Sequence, residues 1–148
     1  MRTRRPSGST VCLVACCKKK HSGRARPAEE LYASKLFELS RAFARANSTK
    51  WFILSAKHEL LAPRDRVKPY DLSLNQLNRD ARKNWANRVY AKLERRLSPD
   101  DRIVILAGKR YREDLSAILG SAGFSIHAPL AGKKLGEQLQ WLKKKTGQ

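Results

Sequence analysis

Short apolar runs alternate with longer amphipathic segments along this chain. Three of the runs are continuous and a fourth is weaker; they are Val11–Cys16, Trp51–Ser55, Arg102–Ala107 and Phe124–His127. Runs of this length without alternating polar residues are typical of strands that are buried on both faces. We therefore predict four strands of one mainly parallel sheet.

Apolar residues at steps of three and four predict helices between these strands. Four helices are predicted. The first starts after Pro27 and ends near Asn47, and the second runs from about Asn75 to Leu97. The third follows Gly108 as far as Gly120, and the fourth contains Leu135, Leu139 and Leu142. This alternation predicts an α/β domain, a single Rossmann-like layer fold of about four mainly parallel strands flanked by helices. Residues 56–74 hold two prolines and many charges, so we predict a long ordered loop with one helical turn.

The charge balance points to a polyanionic partner. The chain of 148 residues has the length of one domain, with residues 1–10 as a basic flexible arm and residues 11–148 as the folded part. Its 32 Lys and Arg residues outnumber 13 Asp and Glu residues, which gives a formal net charge of +19. Such an excess opposes compaction by self-repulsion, so we expect nucleic acid to balance it: DNA, with RNA as an alternative.

Other classes of protein lose support from the same composition. No apolar run reaches the roughly 20 residues of a membrane span, and Val11–Ala15 is too short for a signal peptide. Three cysteines, two of them adjacent, do not make a disulfide framework. We therefore expect a cytoplasmic monomer without a membrane partner.

Unusual side chains follow the predicted strands, where ligands bind in sheets of this kind. The densest group follows the second strand and consists of Ser55, Lys57, His58, Tyr70 and Asp71. One interpretation is a pocket in which Asp71 positions water or stabilises positive charge, while Ser55, Lys57 and His58 bind phosphate or a base. The alternative is a loop held by its own hydrogen bonds. Lys57 is also a candidate Schiff-base nucleophile.

Basic residues in three segments are candidate phosphate contacts. Three of them follow the first strand, namely Lys18, Lys19 and Lys20, and two follow the third strand, namely Lys109 and Arg110. Four lie on the second long helix, namely Arg79, Arg82, Lys83 and Arg88. Tyr111 beside the second group either stacks on a base or starts the apolar stripe of the next helix.

No metal or cofactor is expected. Cys16, Cys17 and His21 lack the usual ligand spacing of zinc sites, so we interpret the cysteines as small buried thiols. The chain also lacks the glycine patterns of nucleoside-triphosphate and dinucleotide folds.

Several motifs resemble, in order, a family of small uncharacterised bacterial and phage domains. They are Val14–Lys19, Glu29–Phe37, Trp51–His58, Lys68–Asp71, Leu106–Gly108 with Tyr111, Pro129–Gly132 and Gly136–Trp141. The pattern Leu-Ser-x-x-x-x-Leu-Leu-x-Pro with a later Pro-Tyr is also similar to the YaaA-type DNA-binding proteins of the peroxide stress response. That similarity implies a uracil-DNA-glycosylase-like, nucleobase-handling fold for residues 11–148. One departure is Glu59, where that family's loop has glycine.

The leading hypothesis is a DNA glycosylase that extrudes a nucleotide and hydrolyses its N-glycosidic bond, with modified bases in phage DNA as the target. Such a reaction needs a carboxylate near the anomeric carbon, for which we choose Asp71 with Glu30 in reserve, assisted by Lys57 and His58. The residues expected to contact the base are Tyr32, Ser55, Tyr70 and Tyr111. The alternatives are a non-catalytic DNA-binding protein and a transferase that modifies nucleosides or RNA bases.

Overall fold

The computed structural model describes residues 8–17 and 19–147. Its main sheet has five strands. In chain order the strands are β1 (Thr10–Ala15), β2 (Arg26–Pro27), β3 (Lys50–Ser55), β4 (Glu59–Leu61), β5 (Arg66–Val67), β6 (Arg102–Leu106) and β7 (Ser125–His127). The main sheet has the order β4-β3-β1-β6-β7, and only β4 runs antiparallel to its neighbour. The predicted α/β fold with a mainly parallel sheet is confirmed, with β4 as an additional edge strand.

Helices cover both faces of this sheet. They are α1 (Ala28–Leu31), α2 (Lys35–Asn47), α3 (Arg79–Leu93), α4 (Lys109–Ser121) and α5 (Leu135–Thr146). Helices α2 and α5 pack together on one face, and α3 and α4 pack together on the other. Strand β1 alternates between the two resulting cores, with Cys12 and Val14 in one and Val11 and Leu13 in the other. Two cores explain why the strands lack polar alternation.

The helix predicted from Pro27 to Asn47 is interrupted, which corrects the prediction. Helix α1 ends at Leu31, and Tyr32 has extended backbone angles. The N–H of Ala33 there donates to the Lys19 carbonyl oxygen at 2.9 Å, so the chain pairs with the segment after β1 instead of continuing a helix. Ser34 then begins α2, with its Oγ accepting a hydrogen bond from the Phe37 N–H.

The second long helix is shorter than the predicted range from Asn75 to Leu97. Ser73 caps a short 3-10 turn at residues 74–76, and Asn78 caps α3 separately by accepting from the Ala81 N–H at 2.8 Å. A second 3-10 turn follows α3 at residues 94–96. Two separate N-caps therefore divide what periodicity alone reads as one helix.

The segment of residues 56–74 contains strands β4 and β5, and a 3-10 turn begins at its last residue, Leu74. Glu59 begins β4 with a φ of 62°, a left-handed conformation that favours glycine. Strand β5 pairs with β2, which ties this segment to the start of α1.

Most of the expected N-terminal arm, residues 1–7, lies outside the described residues, as does Lys18. Ser9 is already fixed at the sheet, because its N–H donates to Asp101 Oδ1 and its carbonyl oxygen accepts from the Arg102 N–H, both at 2.8 Å. Among the described residues, no helix has the length and apolar character needed to cross a membrane.

Candidate functional site

The strand order creates a crevice between the carboxyl ends of β1 and β6. After β1 the chain crosses through α2 to β3 on one side, whereas β6 continues through α4 to β7 on the other side. Helices α2 and α4 lie on opposite faces of the sheet. In open α/β sheets, ligands bind at such a switch point, beyond the carboxyl ends of the strands.

A cavity of about 260 Å³ occupies this crevice. It lies just below the usual size range of small-molecule sites, about 300–1,000 Å³, so it suits one small group better than an extended cofactor. The residues that line it are Ala15, Cys16, Cys17, Ser34, Leu36, Phe37, Ser40, Asn75, Leu106, Ala107, Gly108, Lys109, Arg110, Tyr111, Leu130 and Gln138.

Cys16, which follows β1, contacts Tyr111 of α4, and both residues line the cavity. The Cys16 thiol and the Tyr111 hydroxyl are 3.3 Å apart, and the same hydroxyl accepts a bond from the Leu74 N–H at 3.4 Å. The Tyr111 ring packs edge-on against Trp85 at 5.6 Å and contacts both cores. Tyr111 therefore packs in the interior and also lines the cavity, while its stacking on a base stays a prediction.

Three hydroxyl groups, those of Tyr32, Ser55 and Tyr70, lie close together beyond the end of β3. The Tyr70 hydroxyl is 2.7 Å from Ser55 Oγ and 2.6 Å from the Tyr32 hydroxyl. Ser55 Oγ also accepts from the His58 N–H at 3.0 Å, and the Ser55 carbonyl accepts from Trp85 Nε1 at 2.8 Å. These bonds fix the turn after β3 against the rest of the core.

Tyr32 and Ser55 are both buried. Tyr32 is 1% exposed and Ser55 is 0% exposed, and their expected contacts with a base stay predictions. Each positions Tyr70, which is half-buried. The alternative interpretation, a loop held by its own hydrogen bonds, fits these two residues.

Cations surround Tyr70. Lys20 Nζ lies 4.3 Å from the centroid of the Tyr70 ring, Lys57 Nζ lies 6.0 Å from it, and the His58 ring packs edge-on at 5.3 Å. The Lys20 ammonium also donates to the Cys17 carbonyl oxygen at 2.9 Å. Cations over an aromatic face are held by its quadrupole, so Tyr70 positions positive charge next to the loop end.

Burial keeps the phenols of this region neutral. Desolvation raises the pKa of Tyr32, Tyr70 and Tyr111, and the nearby Cys16 raises the pKa of each further. Desolvation and the positive charge of Lys57 lower the pKa of His58. His58 is thus neutral at pH 7, and its imidazole can accept a proton.

The candidate carboxylates lie on the surface. Asp71, which directly follows Tyr70, and Glu30 in α1 are both exposed, and neither forms a hydrogen bond or ion pair within the described part of the chain. Glu59 is held by α3, because its carboxylate lies 2.8 Å from Lys92 Nζ and 3.1 Å from Arg88 Nε. Desolvation opposes the ionisation of Glu59, but these two cations outweigh it and lower the pKa of the carboxyl group.

The expected phosphate contacts fall into separate groups. Lys109 and Arg110 are exposed at the mouth of the cavity, and Lys19 is exposed after β1. Arg79 and Lys83 are exposed on the flank of α3 that faces α4.

The other two expected phosphate contacts on α3 already have partners within the protein. Arg88 pairs with Glu59, and Arg82 donates to the Leu77 carbonyl oxygen at 2.7 Å. Two of the four expected phosphate contacts on α3 thus have partners within the protein, and the role of all four stays a prediction.

No group of three or more His, Cys, Asp or Glu side chains is placed to hold a metal ion within residues 8–17 and 19–147. Cys12 and Cys16 are buried free thiols and Cys17 is half-buried. Desolvation raises the pKa of Cys12 to about 11, with a weaker opposing effect from a hydrogen bond to Ser48.

Sequence reasoning located the edge of the sheet but missed parts of the cavity wall. Ser34, Phe37 and Ser40 of α2 were not candidates, because a helix after β1 reaches the cavity only through the strand order. Cys16 was interpreted as a thiol at a strand end, which is correct, although it also faces the cavity. Its position directly after an apolar strand was the available signal.

Comparison with known proteins places the chain in a family. A model described as a family of unknown function, DUF6884, matches residues 11–144, and the chain belongs to that family. It is also 32% identical over 141 residues to the uncharacterized protein YfjM of Bacillus subtilis (strain 168), which covers 89% of this chain and 91% of that protein. No solved structure matches. The expected membership of an uncharacterised small-domain family is confirmed, whereas the similarity to the YaaA-type proteins stays a prediction.

Proposed function

We propose that this DUF6884 protein is a DNA glycosylase, which binds DNA across the carboxyl edge of its sheet and hydrolyses the N-glycosidic bond of one modified base. The observation that carries the proposal is the cavity between β1 and β6, which has the size for a single base and a rim that bears Lys109 and Arg110. The net charge of +19 supplies the attraction for the phosphate backbone. We further propose phage DNA in the cytoplasm as the target.

The walls of the cavity suit a nucleobase. Phe37, Leu130 and the Tyr111 ring offer apolar surface, while Asn75 and Gln138 offer amide groups for the polar edge of a base. An extruded base is held in known flipping enzymes by stacking and edge hydrogen bonds of this kind. DNA that lies on the surrounding cations would bring one extruded nucleotide to the cavity mouth.

Asp71 is the carboxylate that we propose for the reaction, with Glu30 as the alternative. In the proposed step, water attacks C1′ of the sugar while the bond between C1′ and the base nitrogen breaks, and its electron pair leaves with the base. The Asp71 carboxylate balances the developing charge on the sugar and accepts the proton of the attacking water. The leaving base takes a proton from solvent. Lys57 and neutral His58 lie beside the same loop and are proposed to contact the flanking phosphate.

A specific observation favours the second candidate, a DNA-binding protein without catalysis. None of the residues that line the cavity is Asp or Glu, and the two candidate carboxylates are exposed. A base could therefore be bound there without being released. Affinity for DNA is expected for both candidates, so only product formation separates them.

The experiment is incubation with duplex and single-stranded DNA that carries different base modifications, followed by detection of abasic sites. Asp71→Asn keeps the shape of the side chain and removes its charge. It should bind DNA at least as well as the wild type but release base about 10²–10⁴ times more slowly. Full activity of Asp71→Asn combined with loss in Glu30→Gln would move the role to Glu30. Tight binding without base release from any substrate would support the DNA-binding candidate and contradict the glycosylase.

A further inference from the structure

The first turn of α4 borders the cavity and has two free backbone donors. Gly108 is the N-cap of this 13-residue helix and has no side chain to cap it. The N–H groups of Lys109 and Arg110 have no hydrogen-bond partner within the described part of the chain. A helix N-terminus carries partial positive charge and attracts anions, but this alone does not define a site.

Ser40 provides an independent observation in the same cavity. It lies on α2, across the sheet edge from α4, and it is 2% exposed. Its hydroxyl makes no hydrogen bond to any of the described residues. Its oxygen is not among the enclosed side-chain atoms without a partner, so it is open to the cavity, where a bound group can reach it. A ligand with acceptor atoms in the cavity would complete the bonding of Ser40.

Charge favours an anionic ligand at this position. Lys109 and Arg110 lie at the rim, and the lining contains no carboxylate that would repel an anion. Asn75 adds a neutral amide donor, whereas the Gln138 amide already donates one hydrogen bond to the Lys133 carbonyl oxygen at 2.9 Å. Free N–H groups, a buried hydroxyl and two cations together match the acceptor oxygens and the charge of a phosphate group.

We propose that the α4 end of this cavity binds the phosphate group of a nucleotide, with the sugar and base directed toward Phe37 and Leu130. This deepens the proposed function and rests on it for the nucleotide character of the ligand. The phosphate can belong to a free nucleoside monophosphate or to the 5′ end of a DNA strand, and the test includes both. Gly108, Ser40 and the first turn of α4 thereby become binding residues for phosphate.

The test uses a matched pair of substitutions at Gly108, whose backbone angles and open surroundings accept a side chain. Gly108→Asp places an acceptor over the free N–H groups and a negative charge in the anion site, and Asp is a good N-cap. Gly108→Ala adds a methyl group without an acceptor and is a poorer cap. We therefore expect Gly108→Asp to keep or raise the thermal midpoint but to lose phosphate binding, and Gly108→Ala to do the reverse.

Binding is measured by isothermal titration calorimetry with inorganic phosphate, the four deoxynucleoside monophosphates, the matching deoxynucleosides, and short DNA strands with and without a 5′-phosphate. We expect monophosphates to bind at least about tenfold more tightly than nucleosides, the scale of charge-assisted hydrogen bonds. Ser40→Ala should weaken monophosphate binding about tenfold without lowering the thermal midpoint. Ser121→Ala, on the exposed C-terminal end of α4, is the control and should change neither.

The outcomes separate this inference from the proposed function. Equal affinity for nucleosides and monophosphates, or unchanged phosphate binding in Gly108→Asp, would overturn the phosphate site even if abasic sites still form in DNA. Phosphate binding that is lost in Gly108→Asp and retained in Gly108→Ala would support it even if no base is released. Preference for phosphorylated strands over free monophosphates would identify the DNA end as the source.

Discussion

Ser55 and Tyr70 are joined through their side chains, with Ser55 Oγ and the Tyr70 hydroxyl 2.7 Å apart although 15 positions separate them in the chain. Ser55 ends β3 and is completely buried, whereas Tyr70 lies just before the exposed Asp71. The pair therefore connects the rigid centre of the sheet to the surface segment that carries the proposed catalytic carboxylate. The hydroxyl contacts of Tyr70 with Ser55 and Tyr32 therefore help to set the position of that segment.

The contact between Ser55 and Tyr70 predicts energetic coupling between the two residues. Ser55→Ala leaves the His58 N–H without a partner and the Tyr70 hydroxyl with Tyr32 as its remaining partner, and it should lower the free energy of unfolding by about 1–3 kcal/mol. Tyr70→Phe should cost a similar amount, but the double variant should cost less than the sum, by about 0.5–3 kcal/mol. Urea unfolding of the four proteins measures this, and strict additivity would show that the two hydroxyls do not interact.

The raised pKa of Tyr70 predicts a loss of stability in alkali. The unfolded phenol ionises near pH 10. In the folded protein its pKa is raised, mainly by burial and secondly by the nearby Cys16. The contribution is thus complete below pH 10 and lost as pH rises above it. Tyr70→Phe cannot ionise, so its free energy of unfolding should fall less steeply than that of the wild type between about pH 10 and pH 11.5. Chemical unfolding across this range measures the slopes, and parallel slopes would contradict the prediction.

The ion pairs of Glu59 compensate for its left-handed backbone, and two substitutions separate these effects. Glu59→Gln keeps the unfavourable φ but loses the pairs with Arg88 and Lys92, so it should destabilise by about 0.5–1 kcal/mol. Glu59→Gly loses the pairs but removes a strain of about 1 kcal/mol, so it should lie close to the wild type. Differential scanning calorimetry compares them, and a glycine variant that is less stable than the glutamine variant would contradict the compensation.

The same residue predicts an acid dependence. The lowered pKa of Glu59 means that its stabilising contribution is present above the ordinary carboxyl pKa and is lost as pH falls through the lower folded value. The difference in thermal midpoint between the wild type and Glu59→Gln should therefore be full at pH 7 and shrink as pH falls below the ordinary carboxyl pKa of 4.5. A difference that does not change with pH would assign the effect of Glu59 to packing.

The proposed DNA surface predicts a localised salt dependence. Lys57→Gln with Lys109→Gln removes two cations from the carboxyl edge and should reduce the slope of log Kd against log salt by about 1–2. Lys143→Gln with Lys144→Gln makes the same change in net charge in the last turn of α5 and is the matched control. Fluorescence anisotropy with a labelled duplex between 50 and 300 mM salt (about the range in which such slopes are read) measures both. Equal effects of the two pairs would show that DNA follows net charge and no particular edge.

The sequence was sufficient for the sheet because its apolar runs report burial directly. Val11–Ala15 and Trp51–Leu54 are continuous because both faces of each strand are covered, and this environment leaves a local signal. β4 left a weak signal, since its three residues form an edge strand only through pairing with β3. The break between α1 and α2 depends on pairing with residues after β1, which periodicity cannot register.

The sequence likewise predicts one part of the candidate site, whereas another part can be seen only in the fold. Tyr70, Lys57 and His58 share one loop, so their proximity follows from the chain itself. The cavity depends on which strands are neighbours, and a sequence with four strands does not reveal that β1 lies between β3 and β6. Ser40 is the clearest case, because only the fold shows that this helical serine is buried beside the end of β6.

The central place of β1 also bears on how the chain reaches its native state. Val11 pairs with Lys50 on one side and with Ile103 on the other, so β1 is synthesised before both of its neighbours and stays unpaired until they follow. Contacts so distant in the chain make folding slow, and an unpaired apolar strand is prone to aggregate meanwhile. Charged residues beside such a strand oppose aggregation, and three lysines at positions 18–20 follow this one. Replacing them with glutamine should therefore lower the yield of refolding from urea, as light scattering would show, so the same lysines would serve the nascent protein before any DNA is bound.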